Sequence, residues 1–365
     1  MLAHVTLSSS APAPSTPPAG RITCLIPTYN RRRLLARALA SALLQDVPGL
    51  GVHVFDNHST DGSGPWLKRV AAHRPGVVAT IHSSNIGAYL NFKAAFASVH
   101  TPYFSILSDD DLLLPGFYRD ALAFLEAHPD CGFYCGDTLH VTGTGAVRSS
   151  SNHNWSEGYH PPGKGYREIK RRGHPTWTGI VFRREIIDAV ELLDDAGSPT
   201  DLDFELEAAR RFGMYVSRRP AAVLTMTSIT ASSTKPLSWV HPAWEDFMRR
   251  HCHGFGRLRS REIAFLSDRY FADLLSVLNQ STLVTEDRRR IVGIMCAYRF
   301  WSGLGNRLVR VAVLHGGHAP GSRRLRLALI ARKVLKLVEQ PRLLLNILTL
   351  RRADRTLRRL TVFTW

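Results

Sequence analysis

Between residues 21 and 107 short apolar runs alternate with helical periods, and this alternation constrains the fold more than any other feature of the sequence. Ile22-Thr23-Cys24-Leu25-Ile26 is a run of strand formers closed by Pro27. Residues 32–45 then place Leu34, Leu35, Ala38, Leu39, Ala42 and Leu43 near a 3.6-residue period, which predicts a helix. Residues 52–55, 77–81 and 103–107 read as further strands, with helices predicted over 64–73 and 89–99. Such β-α-β-α order implies an α/β fold with a mostly parallel sheet and helices on both faces.

Sheets of this kind bind ligands at the carboxyl ends of their strands. Polar clusters fall at those ends: Thr28-Tyr29-Asn30, Asp56-Asn57 and Ser108-Asp109-Asp110-Asp111. One such cluster is ordinary turn chemistry, but three in succession point to a site. Adjacent aspartates repel one another, and a cation relieves that cost. A hard divalent ion such as Mg2+ or Mn2+ takes oxygen ligands of this kind, together with phosphate oxygens.

Residues 1–20, rich in Ser, Pro and Ala, read as a flexible leader. Residues 143–166, rich in Gly, Ser, Asn and His, suit a mobile loop. A helix is predicted over 201–212, stopped by Gly213. Near residue 235 strand signals give way to long helical periods and many arginines, which divides the chain into 1–20, a sheet domain over 21–235 and a helical region over 236–365. The five scattered cysteines form no disulfide framework, and His251-Cys252-His253 is only a fragment of a zinc pattern. No apolar run reaches the roughly 20 residues that cross a bilayer, and the N-terminus lacks a signal-peptide pattern. A cytoplasmic protein is therefore expected.

The 47 Lys and Arg against 30 Asp and Glu give a formal charge of +17, so an anionic partner is expected. Much of the excess lies in residues 321–365, where Leu327, Ile330, Val334 and Leu337 recur at helical spacing among arginines. Such a helix suits an anionic membrane surface at the inner face of the membrane, or equally its own domain.

Taken in order, Ile26-Pro27-Thr28-Tyr29-Asn30-Arg31, Phe55-Asp56-Asn57-His58-Ser59-Thr60-Asp61-Gly62, Asn85-Ile86-Gly87, Leu107-Ser108-Asp109-Asp110-Asp111 with Pro115, and Asp201-Leu202-Asp203-Phe204 resemble the family 2 glycosyltransferases of GT-A fold. That resemblance implies an inverting, metal-dependent transfer of a sugar from a nucleotide donor to an acceptor hydroxyl. It implies that Pro27, Thr28, Tyr29, Asn30 and Arg31 line the nucleotide pocket, with Tyr29 near the base and Arg31 near the phosphates. Asp56 would accept the N3–H of uracil or thymine, which favours a UDP- or dTDP-sugar. Asn85 and Gly87 would bring the backbone close to the nucleotide. The family's acidic motif, aligned on Pro115, puts Ser108 where an Asp is common and makes Asp110 the first metal ligand, with Asp109 and Asp111 as the alternative pair. Asp201 would be the general base and Asp203 its reserve; Trp177 would stack on a sugar or pack in the core.

Two other classes fit the sequence less well. A nucleotidyltransferase needs a triphosphate loop where this chain has Pro27-Thr28-Tyr29-Asn30. A nucleic-acid-binding protein needs stacking aromatics among its basic residues, and the C-terminal run interleaves Leu and Ile instead, so no nucleic-acid partner is expected. An acceptor that is lipid-linked would suit membrane docking; a soluble one is the other option.

Overall fold

The computed structural model describes residues 20–143, 145–193, 200–226, 236–252, 261–278 and 285–297. All of the expected leader except Gly20, and the basic stretch 321–365, lie outside the described residues. The alternation read from the sequence forms as expected: β1 (Ile22–Thr28), α1 (Arg32–Leu43), β2 (Leu50–Asp56), α2 (Ser63–His73), β3 (Val77–Ile81), α3 (Ala88–Ala97) and β4 (Tyr103–Ile106). The remaining elements are β5 (Leu112–Leu113), α4 (Phe117–Ala127), β6 (Cys131–Thr142), β7 (Val147–Ser150), β8 (Gly158–His160), α5 (Lys164–Arg172), β9 (Ile180–Arg183), α6 (Glu185–Ala189), α7 (Thr200–Arg211), β10 (Gly213–Met226), α8 (Leu237–Cys252), α9 (Ala264–Leu278) and α10 (Thr285–Ala297).

One mixed sheet runs in the order β3-β2-β1-β4-β9-β6-β10-β5, with β7 beside β6 and β8 beside β10. Its first half is parallel, as expected, because helical crossovers return each strand in the same direction. The second half departs from that pattern: β9 lies antiparallel between β4 and β6, and β10 is parallel to β6. The stretch 143–166, expected as a mobile loop, instead supplies β7, β8 and the start of α5. Its polar residues make short edge strands, which carry little apolar signal.

Side chains of β1 alternate between two cores, as a period of two requires. Ile22, Cys24 and Ile26 join α1 and α4 on one face. Leu25 joins α3, α7 and the C-terminal helices on the other. That second core ignores the break in character near residue 235: Trp244 and Phe247 of α8 and Phe271 of α9 share it with Phe104, Phe182 and Phe204. The described helices beyond β10 are thus packed onto the sheet. Cys24, Cys131, Cys135 and Cys252 are free thiols. Among the described residues, no helix is long and apolar enough to cross a membrane.

Phe247 is fully buried. Its replacement by alanine is expected to lower the stability of the whole protein by about 3–5 kcal/mol, measured by urea unfolding. A separate, lower transition confined to the C-terminal helices would show that they do not share the sheet's core.

Candidate active site

The site is built at the carboxyl ends of β1, β2 and β4, where parallel strands stop and loops begin. After β1 the chain turns at Asn30, whose φ of 53° is left-handed, a conformation asparagine tolerates better than most residues. Asn30 ties this loop to the one after β2: its amide donates to Ser59 Oγ at 2.8 Å, and its side-chain oxygen accepts the Thr60 amide at 2.7 Å. Asp61, which the sequence reading passed over as a site residue, accepts the Arg32 amide at 2.8 Å at the start of α1. Tyr29 is 44% exposed, so its ring is open to a ligand. A cleft of about 720 Å3 beside this loop is lined by Asn30, Arg31, Arg32, Arg33, Asp61 and Trp66 among others, within the size range of ligand pockets.

Asp56 is buried at the end of β2. One carboxylate oxygen accepts the Ser59 amide at 3.2 Å, and Oδ2 has no partner. Next to it, Asn57 donates to Asn85 Oδ1 at 2.9 Å and accepts the Ile86 amide at 2.9 Å. Asn85 in turn accepts the Gly87 amide at 2.9 Å. Gly87 has φ 84°, which a residue with Cβ reaches only with strain, and it leads directly into α3. The loops after β2 and β3 are therefore fastened by one asparagine pair.

The acidic run after β4 sorts into unequal members. Asp109 is buried and accepts from Thr28 Oγ1 at 2.7 Å and from Arg31 at 3.0 Å. Asp111 is buried and accepts from Thr178 Oγ1 at 2.6 Å and from the Thr225 amide at 2.9 Å, so both its oxygens are engaged. Asp110, between them, receives among the described residues only Arg31, at 2.9 Å on Oδ2. Burial raises Asp109 above the ordinary carboxylate range despite Thr28 and Arg31, and pushes Asp111 up to about 7 against its Thr178 and Thr225 bonds. The cation that relieves the mutual repulsion of Asp109 and Asp110 in the protein itself is thus Arg31, a role the sequence did not disclose. Thr178 is a second residue that sequence reasoning missed. Its signal was only its place in the segment beside the expected sugar site.

Two of the expected site residues are buried, and Trp177 follows the core-packing alternative of its two readings. Trp177 does not offer a face to a sugar: it is 7% exposed, and Phe92, Phe96 and Phe204 pack around its ring at centroid distances of 5.6, 6.2 and 5.8 Å. Asp203 does not stand ready as a reserve base. It is 1% exposed and accepts from His251 and Arg250 of α8, both at 2.7 Å. The same contact explains His251, whose imidazole binds a carboxylate, and no cluster of metal-ligating side chains forms among the described residues.

Asp201, in the first turn of α7, is partly exposed. One turn on, buried Glu205 accepts His174 Nδ1 at 3.1 Å. The link from here to the acidic run is short in sequence: Phe204 packs on Trp177, and the next residue, Thr178, holds Asp111.

Replacing Thr178 by valine keeps its shape but removes the hydroxyl that Asp111 needs. The variant is expected to lose about 1–3 kcal/mol, the cost of an unsatisfied buried group, in urea unfolding at neutral pH. An unchanged midpoint would show that Asp111 does not depend on that bond.

Residues 23–190 match the family model described as glycosyl transferase family 2. An uncharacterised glycosyltransferase of Nostoc sp. is 30% identical over 95 residues, which span 26% of this chain and 30% of that protein. The chain thus aligns with under a third of that relative's length. The structure of S. aureus TarS, residues 1–349, in complex with UDP-GlcNAc superposes with a TM-score of 0.53 at 16% identity, covering 88% of this chain and 92% of that one. A second structure of S. aureus TarS, residues 1–349, gives 0.50 at 15% identity, with the same coverage. At such identities the likeness is one of fold. It agrees with the mixed α/β architecture described above. The strand-end loops and the acidic run described above fall within residues 23–190, the part of the chain that matches the model of glycosyl transferase family 2.

Proposed function

We propose that this protein is an inverting glycosyltransferase that moves a sugar from a UDP- or dTDP-sugar to an acceptor hydroxyl with the help of Mg2+ or Mn2+. The observation that carries this reading is the sorting of the acidic run: Asp109 and Asp111 are held by protein donors, while Asp110 keeps an oxygen without a protein hydrogen bond at the strand end. One available carboxylate, completed by phosphate oxygens, is how a diphosphate-bound divalent ion is commonly held. The donor set fits that ion, which when bound supplies positive charge to the leaving diphosphate.

The chain's own residues divide the remaining work. Asp56, with one oxygen unpartnered and only acceptors to offer, suits the N3–H of uracil or thymine. Tyr29 is exposed beside it in the first loop and suits stacking on the base; Pro27, Thr28 and Asn30 shape the same loop. The Asn57–Asn85 pair and Gly87 fix the backbone that approaches the nucleotide. Arg31 stands where the diphosphate would arrive and adds fixed positive charge. Asp201 takes the proton of the acceptor hydroxyl as its oxygen bonds to the sugar carbon and the sugar–phosphate bond breaks. The acceptor itself, lipid-linked if the basic C-terminal stretch docks on an anionic surface, is part of the proposal.

A thermal-shift series with UDP, dTDP, GDP, ATP and a short oligonucleotide, each with and without Mn2+, tests the reading, because a ligand that binds the folded state raises its melting temperature. Metal-dependent stabilisation by UDP or dTDP is expected, and stabilisation by the oligonucleotide alone would overturn it. Asp201→Asn is expected to keep that stabilisation while lowering the rate of transfer on the order of 10²- to 10⁴-fold. A variant that transfers at the wild-type rate would remove Asp201 from the mechanism.

A further inference from the structure

Behind Asp201 lies a buried pair that the mechanism above does not use. Glu205 is fully buried, and among the described residues only one of its oxygens has a partner, His174 Nδ1 at 3.1 Å, while Oε1 has none. A carboxylate accepts and never donates, so this contact places the proton on Nδ1 and leaves Nε2 with its lone pair. The imidazole is 16% exposed, while the carboxylate behind it is 0% exposed. Asp201 and Glu205 are four residues apart on α7 and therefore share a helix face. The charge of Asp201 acts on both members of the pair. A carboxylate buried behind an imidazole, bonded to one ring nitrogen and leaving the other free to accept, is the arrangement that makes histidine a strong proton acceptor.

We propose that His174, oriented by Glu205, is a positioning residue that receives the acceptor's proton from Asp201 and passes it to solvent. The inference rests on Asp201 as the base. The proton leaves the acceptor hydroxyl for the Asp201 carboxylate, moves to the Nε2 lone pair, and the imidazolium formed is held by the Glu205 carboxylate until water takes the proton. Asp201 is thereby returned as a carboxylate. A second acceptor behind the base lets the proton leave the site, so that Asp201 is free for the next acceptor hydroxyl.

The surroundings of the pair favour a proton on it. Burial pulls the His174 imidazole down, but the carboxylates of Glu205 and Asp201 outweigh it and leave His174 above its ordinary value, against Arg269 of α9. Glu205 is pushed up to about 7 by burial, against its bond to His174 and with Asp201 adding to the rise. His140 of β6 faces the same imidazole, and Cys135 of β6 faces Glu205. Phe265 of α9 packs its ring 5.9 Å from the His174 ring and limits water on that side. The proton held between His174 and Glu205 titrates as a property of the pair.

Two measurements test the proposal. In the first, the full protein labelled with 15N-histidine is titrated by NMR, with His174 assigned by the loss of its signal in His174→Gln. Wild type is expected to titrate above the ordinary histidine value of about 6.5, and both Glu205→Gln and Asp201→Asn to titrate at lower pH. In the second, UDP or dTDP release from UDP-glucose, UDP-N-acetylglucosamine and dTDP-glucose is followed against pH with Mn2+ present. Nucleotide release should fall as pH drops through the pair's midpoint, because a protonated imidazole accepts nothing. Glu205→Gln removes the carboxylate that raises His174, so its acid limb should move to lower pH. His174→Gln should lose that limb and slow release on the order of 10²-fold with an unchanged KM for the donor. A merely structural pair would lower the rate without moving the limb. One shared midpoint in wild type and Glu205→Gln, with nucleotide release intact, overturns the inference and leaves the glycosyltransferase reading standing. No nucleotide release from any donor in the wild type overturns both.

Discussion

Three carboxylates in a row at the end of a buried strand repel one another, and the way this chain accommodates them organises the rest of the site. Asp109 draws Thr28 from the end of β1 and Arg31 from the loop after it, and Asp111 draws Thr178 from the turn before β9 and the backbone of Thr225 from β10. Each bond is made by a group on a different element, so the run acts as a fastener between the parallel and the mixed halves of the sheet. Burying such carboxylates without donors would cost several kcal/mol per ion. With donors in place, the cost falls to the members that are held, and Asp110 is left with Arg31 alone. The single presented carboxylate is therefore a consequence of how its two neighbours are satisfied.

The side of the site assigned to the acceptor follows the same logic with different groups. On α7, residues 201 and 205 look one way, and residues 203 and 207 the other. The first face carries Asp201 with the His174–Glu205 pair. The second carries Asp203, which binds His251 and Arg250 and so ties α7 to α8. The helices beyond β10 thus complete the core and fix the helix on which the proposed base sits. Nothing of that dependence is visible in their composition, which reads as a separate basic region.

How much could be read in advance follows from these partners. The strands β1 to β4 were plain in the sequence because buried parallel strands are continuous apolar runs, and the strand-end clusters stood out against them. The edge strands β7 and β8 were hidden, since a short polar strand at an edge looks like a loop. The burial of Asp203 and the choice between the two readings of Trp177 were hidden for a common reason: position near a motif does not say which way a side chain faces. Asp203 met partners 47 and 48 residues further along, and Trp177 met three phenylalanines from α3 and α7. Arg31 was placed near the phosphates by family resemblance, yet its attachment to Asp109 and Asp110 bridges 78 and 79 residues and left no local trace.

The central claim is that the acidic run contains two anchors and one presented carboxylate. It is tested most directly by comparing Asp109→Asn, Asp110→Asn and Asp111→Asn for melting temperature and for Mn2+-dependent binding of UDP or dTDP by calorimetry. The account predicts that Asp110→Asn keeps the wild-type melting temperature and loses the metal dependence of nucleotide binding, whereas Asp109→Asn and Asp111→Asn lower the melting temperature. An Asp110→Asn protein that binds nucleotide with undiminished metal dependence, or an Asp111→Asn protein as stable as wild type, would contradict it.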